Sequence, residues 1–77
     1  MRPISVIARD ISLAWPKPFY GAVPYLGAMR SLETCADTYW EDSGLSIVAY
    51  FLSNASSFKG EAARTLKAEL KAHMKAA

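Results

Sequence analysis

The chain has 77 residues, of which 52% are hydrophobic and 21% are charged, and its formal net charge is +2. A chain of this size forms one domain that buries roughly 60% of the surface its unfolded form exposes, and this composition excludes an intrinsically disordered protein. The single cysteine, Cys35, excludes an internal disulfide and a cysteine-rich zinc site. We expect one helical domain over residues 1–77, of modest stability unless it associates.

The first predicted element is an amphipathic helix with Pro3 in its first turn and Pro16 as its stop. Its apolar stripe consists of Ile4, Ile7, Ala8, Ile11, Ala14 and Trp15. Val6 and Leu13 lie off this stripe, seven residues apart. They are either singly exposed side chains or part of a second contact surface.

A second helix is predicted from Val23 or Pro24 to Glu33, because proline is favoured in a first helical turn. The side chains expected to be buried by this helix are Tyr25, Ala28, Met29 and Leu32.

The most apolar run of the chain is SIVAYFLSNASS, residues 46–57. Its unbroken apolar part, Ile47 to Leu52, is far shorter than the ~20 residues that cross a bilayer. The pattern favours a buried helix that starts at Asp42 or Ser43 and ends at Asn54 or at Ser56 and Ser57. At 100° per residue its apolar face holds Leu45, Val48, Ala49, Leu52 and Ala55, with Ile47 and Phe51 at the edge and Tyr50 beside a polar seam. We expect Leu52 at the centre of the domain.

The last predicted helix begins near Ser57 and runs towards Lys75. Its apolar face holds Ala63, Leu66, Leu70 and Met74. About four helices with short connections and no alternating strand pattern predict an all-α fold, a small compact bundle.

Charge is distributed unevenly along the chain. The four charged residues between positions 33 and 42 are all acidic: Glu33, Asp37, Glu41 and Asp42. This segment lacks the alternating oxygen ligands and the central glycine of an EF-hand loop, so we expect no metal ion there and interpret Asp42 as the cap of the following helix. Cofactors are not expected either.

The last helix carries a row of cations, Arg64, Lys67, Lys71 and Lys75, within roughly an 80° arc of an ideal helix. Such a row either follows the phosphates of a nucleic acid or is a solvated face near a helix C-terminus. The acidic segment and this row could also meet each other between subunits, head to tail.

Catalysis is not expected. The only histidine, His73, lies near the C-terminus without a Cys or Asp at a catalytic spacing. The sequence also contains no glycine-rich phosphate loop, no nucleophile elbow and no metal-ligand cluster.

Nine aromatic residues are many for so small a core. We therefore expect some of them to face a partner, together with the two apolar residues that lie off the first stripe. The predicted protein interface consists of Val6, Leu13, Phe19, Tyr20, Tyr39 and Trp40.

Five stretches carry a resemblance to a known group: Gly21-Ala22, Pro24-Tyr25-Leu26, Ser46-Ile47-Val48, Tyr50 to Ala55, and Gly60-Glu61. With them the chain resembles, from Ile4 to Lys71, a group of small uncharacterised proteins encoded by tailed bacteriophages, notably those of actinobacteria, and by prophages. The resemblance implies a phage accessory protein in the cytoplasm of the bacterial host, and it implies no catalytic or binding residues.

The sequence thus predicts a non-enzymatic protein–protein interaction module that forms a homo-oligomer, binds a host or phage protein, or does both. The alternative is a nucleic-acid-binding protein that uses the basic row of the last helix. Neither interpretation involves a membrane.

Overall fold

The computed structural model describes all 77 residues. Its elements are α1 (Ile4–Ala14), a 3₁₀ turn (Tyr20–Ala22), α2 (Val23–Met29), β1 (Thr38–Tyr39), β2 (Asp42–Ser43), α3 (Gly44–Ser53) and α4 (Glu61–Ala76). The predicted four helices are present and the fold is mostly helical. The predicted all-α class holds only in part, because β1 and β2 form an antiparallel hairpin between α2 and α3. Each strand has two residues with exposed side chains, so no apolar alternation marks it in the sequence.

The four helices form a closed ring: each packs against the next one along the chain, and α4 packs back against α1. α1 contacts α2 and α4, and α3 also contacts α2 and α4. α2 and α4 therefore lie at opposite corners of the bundle. None of the helices combines the length and the apolar character that crossing a membrane requires.

The start of α1 is capped by the chain that follows α2. The backbone N–H groups of Ile4 and Ser5 donate to the carbonyl oxygens of Glu33 and Leu32, at 2.9 and 2.7 Å. These carbonyls take the place of a side-chain cap, which α1 lacks. α2 ends at Met29 and not at the predicted Glu33. The carbonyl groups of Leu32 and Glu33 instead accept the hydrogen bonds from the start of α1.

The buried stripe of α1 is confirmed for Ile4, Ile7, Ala8 and Ile11. Ala14 is exposed instead, because the helix ends there. Trp15 is half-buried: its ring is stacked on Phe58 with centroids 5.0 Å apart and meets Phe51 edge-on at 6.4 Å.

The buried face of α3 is rotated from the predicted one. Gly44, Ile47, Val48 and Phe51 are buried. Leu45 is 40% exposed and Leu52 is only half-buried, so the expectation of a buried Leu45 and of Leu52 at the centre is wrong. α3 is apolar on most sides, and the side that faces the core carries Phe51, which is fully buried and meets Trp15 edge-on.

The prediction that α4 starts near Ser57 is also wrong, since α4 starts at Glu61. Phe58 is buried against Trp15, and Gly60, at φ 108°, turns the chain into the helix. On the predicted apolar face of α4, Ala63, Leu66 and Leu70 are buried and Met74 is half-buried.

Candidate protein interface

The aromatic side chains divide into two groups. Trp15, Phe51 and Phe58 pack with one another at the core. The other six lie on the chain from the 3₁₀ turn to α2, on the hairpin and on α3: Phe19, Tyr20, Tyr25, Tyr39, Trp40 and Tyr50. The surplus of aromatic residues is thus placed at the surface.

A groove joins α2, the hairpin and α3. Tyr25 of α2 and Tyr50 of α3 are stacked across it, with ring centroids 5.6 Å apart at 29°. Its volume is about 520 Å³, and its walls are Pro24, Tyr25, Ala28, Tyr39, Asp42, Ile47 and Tyr50. We call it the tyrosine groove.

The pair Phe19 and Tyr20 continues this surface beyond Tyr50. Their ring centroids are 4.7 Å apart. The next residue, Gly21, approaches Asn54 so closely that a Cβ on the glycine would lie 2.7 Å from Asn54 Oδ1. Asn54 in turn donates from Nδ2 to the carbonyl oxygen of Tyr50, at 2.9 Å. Trp40 adjoins the groove through Tyr39, which its ring meets edge-on with centroids 6.4 Å apart. We use the name aromatic face for the groove and these neighbours, namely Phe19, Tyr20, Val23, Pro24, Tyr25, Tyr39, Trp40 and Tyr50.

Trp40 is the most exposed aromatic residue of this face, at 86% of its full area. It has φ 58°, and no other non-glycine residue of the chain has a positive φ. It occupies the first of the two loop positions of the hairpin, where a positive φ normally calls for glycine. For an L-residue this conformation costs roughly 1–2 kcal/mol. The indole meets Tyr39 edge-on, with centroids 6.4 Å apart, but little of its area is buried in return.

The acidic segment borders the tyrosine groove. Asp37 shapes its start, because the carboxylate accepts from the backbone N–H groups of Glu33 and Thr34 at 2.8 and 3.1 Å. These bonds lower the pKa of Asp37 below its ordinary value. The carboxylates of Glu41 and Asp42 take part in no hydrogen bond or ion pair within the chain.

Of the two residues predicted to cap α3, Ser43 is confirmed and Asp42 is not. Ser43 caps the helix, because its Oγ accepts from the N–H of Ser46 at 3.1 Å. Asp42 instead lines the tyrosine groove. Its carboxylate is free for a partner.

The predicted interface residues fall on two sides of the molecule. Phe19, Tyr20, Tyr39 and Trp40 belong to the aromatic face, whereas Leu13, 77% exposed, lines a separate groove between α1 and α4. Val6 is half-buried. The sequence prediction missed Tyr25 and Tyr50, although the position of Tyr50 beside the polar seam of its helix indicated an outward side chain.

The four cations of the basic row differ in their surroundings. Lys67 Nζ donates to the carbonyl oxygens of Ala55 and Phe58, each at 2.7 Å. Burial, with a smaller effect of the cations Lys71 and Lys59, lowers its pKa. Arg64, Lys71 and Lys75 are exposed and form no ion pair.

His73 and Cys35 are both buried in the fold. His73 is buried, and its Nε2 donates to the carbonyl oxygen of Arg2 at 2.6 Å. Burial raises the pKa of the Cys35 thiol. No three His, Cys, Asp or Glu side chains lie together in an arrangement that could hold a metal ion.

Compared with known proteins, the chain matches no family model, and neither a curated protein nor a solved structure is significantly similar to it.

Proposed function

We propose that this protein is a non-enzymatic helical interaction module that binds a protein partner, in the first place a second copy of itself, through the aromatic face. The observation that carries the proposal is Trp40. A strained, almost fully exposed tryptophan at the tip of a hairpin works against the stability of the single chain, so we attribute its presence to a contact with another molecule.

The rest of the face supports this proposal. Monomeric proteins rarely leave large contiguous apolar patches in water, and tyrosine and tryptophan are enriched at the centres of protein interfaces. Here Tyr20, Tyr50 and Trp40 are 82%, 56% and 86% exposed. As a phage accessory protein, the module would act in the cytoplasm of the bacterial host, where a host or phage protein is the alternative partner.

Sedimentation equilibrium over a range of concentrations tests the proposal. We expect the wild type to self-associate, and we expect Trp40→Gly and Tyr20→Ser each to weaken association about tenfold or more, because truncation of an aromatic anchor commonly costs more than 1.4 kcal/mol. Leu13→Ser is the matched control, since it removes an exposed apolar side chain from the separate groove between α1 and α4. A wild type that is monomeric at millimolar concentration, or equal losses for all three variants, would refute the proposal.

A nucleic-acid-binding function is the second candidate, and one observation favours it. Lys59 and Arg64 line a shallow pocket at the start of α4, and with Lys71 and Lys75 they form four cations free of ion pairs. Four phosphate contacts give weak binding that falls steeply with salt. Replacing these four with Gln, while Lys67 is kept, should abolish retention on DNA at low salt; Arg9→Gln with Lys17→Gln is the control. Unchanged retention would eliminate this candidate.

A further inference from the structure

We propose that the tyrosine groove binds lysine side chains, and that the lysines it binds are Lys71 and Lys75 on α4 of a second copy. This inference rests on the proposed function and names the contact through which the copies join.

The groove has the chemistry of a cation site. Tyr39 and Tyr50 present ring surface along its walls, and Asp42 adds a carboxylate without a partner in its own chain. An ammonium group is attracted by the face of an aromatic ring, and a nearby carboxylate supplies the opposite charge. The methylene stem of a lysine can cover apolar groove surface while its ammonium meets these groups.

The distribution of charge indicates which surface of a second copy fits the tyrosine groove. Asp42 lies in the groove between α2, the hairpin and α3, whereas Lys71 and Lys75 lie on α4. Neither lysine forms an ion pair with an acidic residue of its own copy. Two aromatic faces that met directly would bring two acidic segments together, and like charges at an interface are unfavourable.

A head-to-tail contact avoids this repulsion and joins opposite charges. The groove of one copy then faces α4 of the next, and the same contact can repeat. Lys71 and Lys75 are the side chains suited to it, since both are exposed, unpaired and one helical turn apart. Lys67 is excluded because Ala55 and Phe58 hold its ammonium.

Charge reversal tests the contact by sedimentation equilibrium at low and moderate salt. We expect Asp42→Lys and Lys71→Glu each to weaken association about tenfold, equivalent to 1.4 kcal/mol. An equimolar mixture of the two variants should regain much of the wild-type association, because the reversed groove meets a reversed helix and the unchanged groove meets an unchanged helix. Glu61→Lys and Lys17→Glu alter the net charge equally at other sites and should leave association within about twofold of the wild type.

The outcomes separate this inference from the proposed function. If Trp40→Gly weakens association while Asp42→Lys and Lys71→Glu act like their controls, or if the mixture regains nothing, the interaction module stands and the lysine site is refuted. A wild type that never associates refutes both. Circular dichroism of each variant establishes that it is folded, and Lys71→Glu, on an exposed helix surface, keeps the test decisive if Asp42→Lys disturbs the hairpin.

Discussion

The ammonium group of Lys67 contacts Phe58 twice. Its Nζ donates to the carbonyl oxygen of Phe58 at 2.7 Å and lies 5.7 Å from the centroid of the same residue's ring. A second bond goes to the carbonyl of Ala55. The ammonium thus fixes the connection between α3 and α4, which in turn holds Phe58 against Trp15. A lysine that the sequence groups with a phosphate-binding row is in fact part of the fold.

Replacing Lys67 should therefore lower stability. Lys67→Met keeps the aliphatic stem but removes the donor to the Phe58 carbonyl and one of the two donors to the Ala55 carbonyl, which still accepts from the Phe58 N–H. We expect a loss of about 1–2 kcal/mol in the free energy of unfolding, measured with urea. Lys71→Met, one turn away and exposed, should change it by less than about 0.5 kcal/mol. Equal effects of the two changes would contradict the structural role of Lys67.

The rotated face of α3 leads to a second expectation. Phe51→Ala empties a fully buried site, so it should cost about 3–5 kcal/mol, enough to unfold much of so small a domain. Leu45→Ala should cost less than about 1 kcal/mol, because the side chain is already 40% in water. Thermal unfolding of both variants measures the difference, and Leu52→Ala should fall between them. A larger loss at Leu45 than at Phe51 would mean that a different side of α3 faces the core.

The buried faces of α1 and α4 were predictable from the sequence, whereas that of α3 was not. The buried positions of α1 and α4 follow from apolar residues that recur once per turn against a polar background, so Ile7, Ile11, Leu66 and Leu70 were predicted correctly. α3 lacks that contrast, and its orientation is set by packing against α2 and α4, which the periodicity of its own residues does not reveal.

The candidate site was predictable only in part. An excess of aromatic residues predicted a partner, and Phe19, Tyr20, Tyr39 and Trp40 were predicted to face it because they lie in the connections between the predicted helices, and connections lie at the surface. The groove was not foreseeable, since it requires α2 and α3 to bring Tyr25 against Tyr50. The positive φ of Trp40 could not be predicted from the sequence either, because it arises in a hairpin whose two-residue strands show no apolar alternation.

Two glycines provide a matched pair of substitutions. A Cβ on Gly44 would lie 2.9 Å from the Thr34 carbonyl oxygen and 3.0 Å from that of Asp37, so backbone would have to move. Gly44→Ala should lose about 1–3 kcal/mol of unfolding free energy. Gly27, inside α2, has nothing within 4 Å of the added carbon, and Gly27→Ala should gain about 0.5–1 kcal/mol from helix propensity. Chemical denaturation measures both, and a neutral Gly44→Ala would contradict the close approach of the loop to α3.

The pH dependence of stability should reflect the ion pair between Arg2 and Glu69. Arg2 donates to both carboxylate oxygens of Glu69, at 2.8 and 2.7 Å, and these bonds lower the pKa of Glu69 below its ordinary 4.5. A carboxyl with a lowered pKa in the folded state stabilises the fold above its unfolded pKa, and this contribution is lost as the pH falls through the folded value.

Glu69→Gln should accordingly be less stable than the wild type at pH 7, and the difference should shrink as the pH falls below the ordinary pKa of 4.5. Thermal melts of both proteins over this range measure it. Glu61→Gln, an exposed acid on the same helix that forms no ion pair, is the control. A difference between Glu69→Gln and the wild type that stays constant with pH would contradict the assignment.

The most direct test of the interaction module is Trp40→Gly, measured for folding and for association in the same preparation. Glycine accepts the positive φ of this position, so the free energy of unfolding of the monomer, measured at a concentration below association, should stay equal or rise by about 1 kcal/mol. Association should fall at the same time. A variant that is less stable than the wild type, yet associates equally well, would show that Trp40 serves the fold and not a partner.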